Sequence, residues 1–289
     1  MEKHNIMQQS IRPIDYLFDF AMSDERVRIV GLEGSRTNPN VPPDHFQDYD
    51  VSFVVTDMTS FLQDVQWLDF LGERLMMQTP ENMALFPPEL GNWFSYLMLF
   101  TDHSRIDLTL IPLEELSLYL AGDGLLEILL DKDRRCPPMA VPTDCHYHIK
   151  QPTVRFFEDC YNEFWLSATN VVKGLCRQEL LYANDLFEKI VREELLRMLA
   201  WRVGFETQFS VSVGKRYKYL PAFLTTQEHE TFVKTYHLSS VEATWHALTQ
   251  AMALFIATSN TVATILHTSV PAYGENVKTY IEQLYRQNN

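Results

Sequence analysis

Two hydrophobic rhythms divide the chain. Through about residue 150, short apolar runs of period two alternate with brief helical stretches. Beyond Pro152 the apolar positions recur at helical spacing almost throughout. In the first part, Ile14, Leu17, Phe18 and Ala21 predict a helix over residues 11–22, and residues 27–32 read as a strand. Residues 37–46, carrying Asn38, Pro39, Asn40, Pro42 and Pro43, are a loop. Residues 50–55 set Val51, Phe53 and Val55 against Ser52 and Val54, the pattern of a central strand. A helix over 60–71, a strand over 74–78 and a Pro-containing loop over 79–92 follow. Strands over 93–100 and 105–111 are joined by a hairpin turn, and a short helix over 113–120 comes next. Three prolines within 136–142 mark a boundary. Helices over 154–172, 178–203, 227–237, 241–266 and 274–286 fill the rest. The prediction is an α/β (α+β) protein: a mixed-sheet domain over residues 1–150, then a helical-bundle domain over 151–289.

Composition narrows the classes. Hydrophobic residues make up 46% of the 289, enough for real cores. The net charge of −14 disfavours nucleic acids and anionic membranes as partners and favours polycationic small molecules. Residues 1–10 are polar and lack the apolar core of a signal peptide. No uninterrupted apolar run reaches the ~18 residues of a membrane helix. Four cysteines form no C-x-x-C pair, which predicts a cytoplasmic protein with reduced thiols. Cys145-His146-Tyr147-His148, with Cys136 upstream, has zinc-ligand residue types but no closed four-ligand spacing; it reads as packed thiols and surface imidazoles.

The chemistry centres on Gly34-Ser35-Arg36 and on Asp48-Tyr49-Asp50 about a dozen residues later. Side chains two apart on a strand share a face, so Asp48 and Asp50 point the same way. Carboxylates so close repel each other, which a fold tolerates mainly when a cation lies between them. Asp107, in the otherwise apolar run Ile106 to Ile111, also needs a partner. A third carboxylate on a neighbouring strand would complete a cage for divalent metal. The plainer alternative makes Asp48-Tyr49-Asp50 a solvated strand start and pairs Asp107 with Arg105 or Arg36. The Gly34-Ser35 turn offers N–H groups and a hydroxyl suited to phosphate. A phosphate cradle beside a metal site is the equipment of phosphoryl or nucleotidyl transfer.

These motifs resemble the nucleotidyltransferase superfamily of DNA polymerase beta type. Glu33-Gly34-Ser35-Arg36-Thr37-Asn38-Pro39-Asn40, Phe46-Gln47-Asp48-Tyr49-Asp50, Met77-Gln78-Thr79-Pro80 and Arg105-Ile106-Asp107-Leu108 are more specific. They resemble the aminoglycoside 6-adenylyltransferases, which adenylylate streptomycin and give antibiotic resistance. The similarity continues through Phe164-Trp165, residues 172–177, residues 193–198 and residues 214–219. The resemblance implies ATP with Mg²⁺, two ions, as donor, transfer of AMP to a streptomycin hydroxyl, and release of pyrophosphate. It implies Asp48, Asp50 and Asp107 as metal ligands, with Asp107 nearest the acceptor and helping to deprotonate it. Gly34 and Ser35 would seat the phosphates.

Arg36, Lys173 and Lys215 are the candidate cations for the triphosphate; each equally suits a solvated surface charge. Streptomycin carries two guanidinium groups, so its site calls for carboxylates and aromatic faces. The helical half offers Glu163, Trp165, Glu179, Tyr182 and Asp185, and the last three lie at helical spacing. Asp185 is the first choice as carboxylate anchor or helper to the base. The expected arrangement has ATP in a cleft closed on one side by the helical domain, in a monomer or a homodimer. Two rival readings stand: a nucleotidyltransferase with another acceptor (aminocyclitol, protein or RNA), and a non-catalytic nucleotide-binding module.

Overall fold

The computed structural model describes residues 13–288. The polar stretch 1–10 and the first two residues of the expected opening helix lie outside them. Contacts divide the chain into two units, Met1–His146 and Tyr147–Asn289.

The first unit is built on a six-stranded mixed sheet. Helix α1 (Pro13–Ser23) leads into β1 (Val27–Glu33), and a single 3-10 turn, Gly34–Arg36, follows. Next come β2 (Tyr49–Val55), α2 (Met58–Gln63), β3 (Arg74–Gln78), β4 (Phe94–Phe100), β5 (Arg105–Pro112), α3 (Leu116–Leu120) and β6 (Leu126–Asp131). The strand order is β3-β4-β5-β2-β1-β6. Only β2 and β5 run parallel; the other neighbours are antiparallel.

Alternation sorts the sheet's two faces. Val51, Phe53 and Val55 of β2 join Ile106, Leu108 and Leu110 of β5 under α1, where Phe20 stacks on Phe70 and Phe53. The opposite face has a thinner apolar cluster of Ile29, Val54, Ile111, Tyr119 and Leu126. Ser52, Asp50, Thr109 and Asp107 share that second face by period two.

In this unit one sequence expectation needs correction and one strand is new. The helix expected over 60–71 is two pieces, because Asp64 is extended (φ −139°, ψ 116°). Asp57 caps α2 by accepting the Ser60 N–H, and Asp64 caps a 3-10 segment, Val65–Leu71, by accepting the Gln66 N–H. Each aspartate satisfies an orphan donor and starts a new helix, so the apolar spacing across them does not make one. Strand β6 was not foreseen. Its run Leu126-Glu127-Ile128-Leu129-Leu130-Asp131 has one β-branched residue and weak alternation. Pairing with β1 makes it a strand.

The second unit is helical: α4 (Val154–Cys176), α5 (Leu180–Leu186), α6 (Arg192–Glu206), α7 (Thr226–Lys234), α8 (Val241–Ile265) and α9 (Tyr273–Asn288). Thr153, Thr225 and Ser240 cap α4, α7 and α8. The single helix expected over 178–203 begins instead at Leu180 and passes from α5 to α6 through a π-turn, Phe187–Val191. Phe164 of α4 stacks on Phe255 of α8, centroids 3.7 Å apart. Helix α8 is long and apolar enough to cross a membrane, although no uninterrupted apolar run of that length occurs in it; half of its most apolar stretch is buried within the unit.

Phe53 is fully buried between β2's neighbours and the α1 aromatics. Phe53→Ala is expected to cost about 3–5 kcal/mol of stability, measured by urea unfolding.

Candidate active site

The Gly34 turn ends β1 where the chain must reverse beside β2. Gly34 has φ +72°, and a Cβ there would stand 2.3 Å from Asp50 Oδ2. Glycine is required on both counts: the left-handed backbone and the space that the Asp50 carboxylate fills. The Gly34 N–H donates to the Leu125 carbonyl at 3.1 Å. That bond removes it from the phosphate cradle expected of Gly34 and leaves the Ser35 end of the turn.

Arg36 fastens the turn to the start of β2. Its Nε donates to the Asp48 carbonyl at 2.9 Å and its Nη2 to the Gln47 carbonyl at 2.6 Å. The guanidinium lies 3.6 Å from the Tyr49 ring centroid. Expected as a phosphate cation, Arg36 instead uses these two donors on backbone that presents Asp48 and Asp50.

The parallel register of β2 and β5 sets Asp50 opposite Asp107. Asp48, two residues before Asp50, shares their side of the sheet. Burial, reinforced by the charges of Asp107, Asp48 and Glu33 and opposed by Arg105, pushes Asp50 up to about 6. Asp48 is raised as well, by burial first and then by Asp107, with Arg105 opposing. Arg105 supplies the local counter-charge: its Nε and Nη2 donate to the two Asp107 oxygens at 2.9 and 3.0 Å. Its Nε is 3.6 Å from Asp48 Oδ2.

Glu33 is a fourth carboxylate, which sequence reasoning passed over. It pairs opposite Asp50 across β1 and β2, and its Oε1 accepts the Ser52 hydroxyl and, at 2.7 Å, the Tyr119 hydroxyl. Burial raises its pKa, and the two hydrogen bonds oppose the rise. Its strand parity with Gly31 and Ile29 was the available signal; its partner Tyr119 lies far along the chain.

Among the described residues, no three His, Cys, Asp or Glu side chains converge closely enough to hold an ion as placed. The donor set nevertheless suits a hard divalent cation: all-oxygen ligands, two carboxylates raised by burial and then by the charge of Asp107, and an arginine among them.

The other expected site residues belong to the helical unit. Trp165 is 1% exposed and packs on Phe164, Phe255 and Tyr161. The substrate contact expected of it gives way to a core role: an apolar ring at helical spacing is buried against its neighbours. Glu179, at the N-cap of α5, and Tyr182 and Asp185 within it are all exposed, and Asp185 pairs with Lys189 at 2.6 Å. Lys173 is exposed near the end of α4. Lys215 is exposed in a 3-10 turn behind Gly214, whose φ is +75°. A groove of about 520 Å³ was not foreseen; it is lined by Phe156, Asp159, Glu163, Glu194, Arg197 and Trp201 among others.

The model of the family described as streptomycin adenylyltransferase matches residues 7–284. The chain belongs to that family. Its relatives agree along their length. Aminoglycoside 6-adenylyltransferase of Bacillus subtilis (strain 168) is 48% identical over 280 residues, 96% of this chain and 99% of that protein. The protein of the same name from Campylobacter jejuni is 49% identical over 267 residues, 92% of each. That from Staphylococcus aureus is 41% identical over 273 residues, 94% of this chain and 97% of that one. As a member of the streptomycin adenylyltransferase family the chain is an enzyme, a nucleotidyltransferase.

The folded protein retains the Asp50 proton to about pH 6, while the unfolded chain releases it near 3.8. Stability of the metal-free protein therefore falls as pH rises from about 4 through 6. Asp50→Asn should flatten that fall and stabilise the metal-free protein at pH 8 by on the order of 1 kcal/mol after solvent screening. Thermal melts in chelator from pH 5 to 8 check it. Gly34→Ala should disturb the Asp50 carboxylate and lower turnover by about tenfold or more, read in initial rates.

Proposed function

We propose that this enzyme transfers AMP from ATP to a hydroxyl of an aminoglycoside, streptomycin at its 6-position being the first choice, with Mg²⁺ and with release of pyrophosphate. The observation that carries this reading is the sheet face on which Asp48, Asp50 and Asp107 meet the Gly34 turn. The names of the relatives supply the acceptor class. Antibiotic resistance would follow from modification of the drug.

Each residue then has a task. Asp48, Asp50 and Asp107 would hold the divalent ions. Those ions, when bound, would neutralise charge developing on the phosphate oxygens and on the leaving pyrophosphate. Asp107 takes the proton of the acceptor hydroxyl, whose oxygen forms a bond to the α-phosphorus as the bond from that phosphorus to the bridging oxygen breaks. Ser35 binds phosphate at the turn, and Lys173 and Lys215 are candidate cations for it. Arg36 and Gly34 keep the aspartates in place, which is positioning rather than contact. Asp50, near 6, is mostly ionised at neutral pH and ready to bind a cation. The overall charge of −14 and the acidic groove with Asp159, Glu163 and Glu194 suit an acceptor bearing guanidinium groups. Glu179, Tyr182 and Asp185 are further candidates for that contact.

Mass measurement of streptomycin after incubation with ATP and Mg²⁺ tests the reaction; addition of one AMP is expected. Modification of another aminocyclitol alone would move the acceptor and keep the chemistry. No pyrophosphate release with any acceptor would overturn the reading. Asp48→Asn and Asp50→Asn should each lower transfer by about 10³-fold or more while circular dichroism stays that of the folded protein.

A further inference from the structure

One cation already stands among the three aspartates. Arg105 opens β5 with its side chain about half exposed, and its two-point pair with Asp107 engages both carboxylate oxygens. The same guanidinium lies 3.6 Å from Asp48. It thus spans the two strand ends that the acidic side chains would otherwise push apart. The oxygens it holds are those a divalent ion would use.

We infer that Arg105 is a positioning residue that stands in the ion's place in the metal-free protein and releases Asp107 when the ion enters. The inference rests on the reading of Asp48, Asp50 and Asp107 as metal ligands. Its physical basis is charge exchange. Without an ion, the guanidinium offsets the repulsion among Asp48, Asp50 and Asp107, and so keeps the ends of β2 and β5 together. That service opposes metal loading, because the ion must first break a charge-assisted, bidentate pair. No covalent bond changes; a single positive charge leaves Asp107 and a double one takes its place. Lysine could not do the same, since a point ammonium cannot match both oxygens at once.

Mn²⁺ titration of the nucleotide-free protein, followed by the electron-spin resonance of free Mn²⁺, separates the possibilities. Arg105→Gln should bind Mn²⁺ about tenfold more tightly than the wild type at low salt, since a positive charge a few ångströms from the ion is gone. The same variant should melt at a lower temperature in chelator and recover with Mn²⁺. Arg105→Lys should fall between the two and carries the comparison if the glutamine variant does not fold. Unchanged or weaker Mn²⁺ binding in both variants, even with a lowered melting temperature, would mean that Arg105 has only a structural role, and the inference would be overturned. Wild-type Mn²⁺ affinity retained by Asp50→Asn would instead overturn the metal-ligand reading, and this inference with it.

Discussion

Like charges held together on one sheet face are the constraint around which the first unit is arranged. Asp50 and Asp107 face each other because β2 and β5 run parallel in a fixed register, and Asp48, just before β2, lies 3.6 Å from the Arg105 guanidinium that pairs with Asp107. A slip of one residue in either strand would send its aspartate into the apolar layer of Phe53 and Leu108. The hydrophobic face therefore enforces an electrostatic arrangement that is unfavourable without a counter-charge. Burial first, and then the charges of Asp107, Asp48 and Glu33, raise the pKa of Asp50.

The surroundings relieve the conflict in distinct ways. Gly34 gives the Asp50 carboxylate room that no other residue would leave. Arg36 spends hydrogen bonds and a ring contact on the backbone just before Asp50, fixing the presentation of the pair. Glu33, half-buried, is satisfied by Ser52 and Tyr119. Tyr119 also closes over Gly31, where a Cβ would meet its hydroxyl at 1.9 Å. These are supports for the aspartate side chains, and they come from four different elements.

The helical unit depends on packing in which polar groups are placed sparingly. Arg192, beside the π-turn, is buried, yet its donors reach Glu188, the Thr235 hydroxyl and the Thr235 carbonyl, and it lies over the Tyr236 ring. Such a buried cation is tolerable because its donors find oxygen. The turn between α4 and α5 is held by Gly174, whose missing side chain admits Tyr182 and Ala183. Tyr182 packs on Gly174 and is still 43% exposed, and Asp185 is exposed, whereas Trp165 belongs to the core.

Local pattern was enough to read the division into a sheet unit and a helical unit, five of the six strands, and the aspartates that share one sheet face. Each of these is local: period two or 3.6, proline breaks, and D-x-D parity can be read over a few residues. The family is legible for the same reason, through contiguous motifs around Gly34, Asp48 and Asp107. Which groups neutralise and support those aspartates depended on contacts between distant segments. The pairing of β6 with β1, the break at Asp64, the capture of the Gly34 N–H by Leu125, the burial of Trp165 and the contact of Tyr119 with Glu33 join residues whose own neighbours in the chain say nothing of them. Arg105 shows the boundary best. Its place two residues before Asp107 made the pairing conceivable, but the contact with Asp48 exists only because two distant segments became parallel neighbours in one sheet.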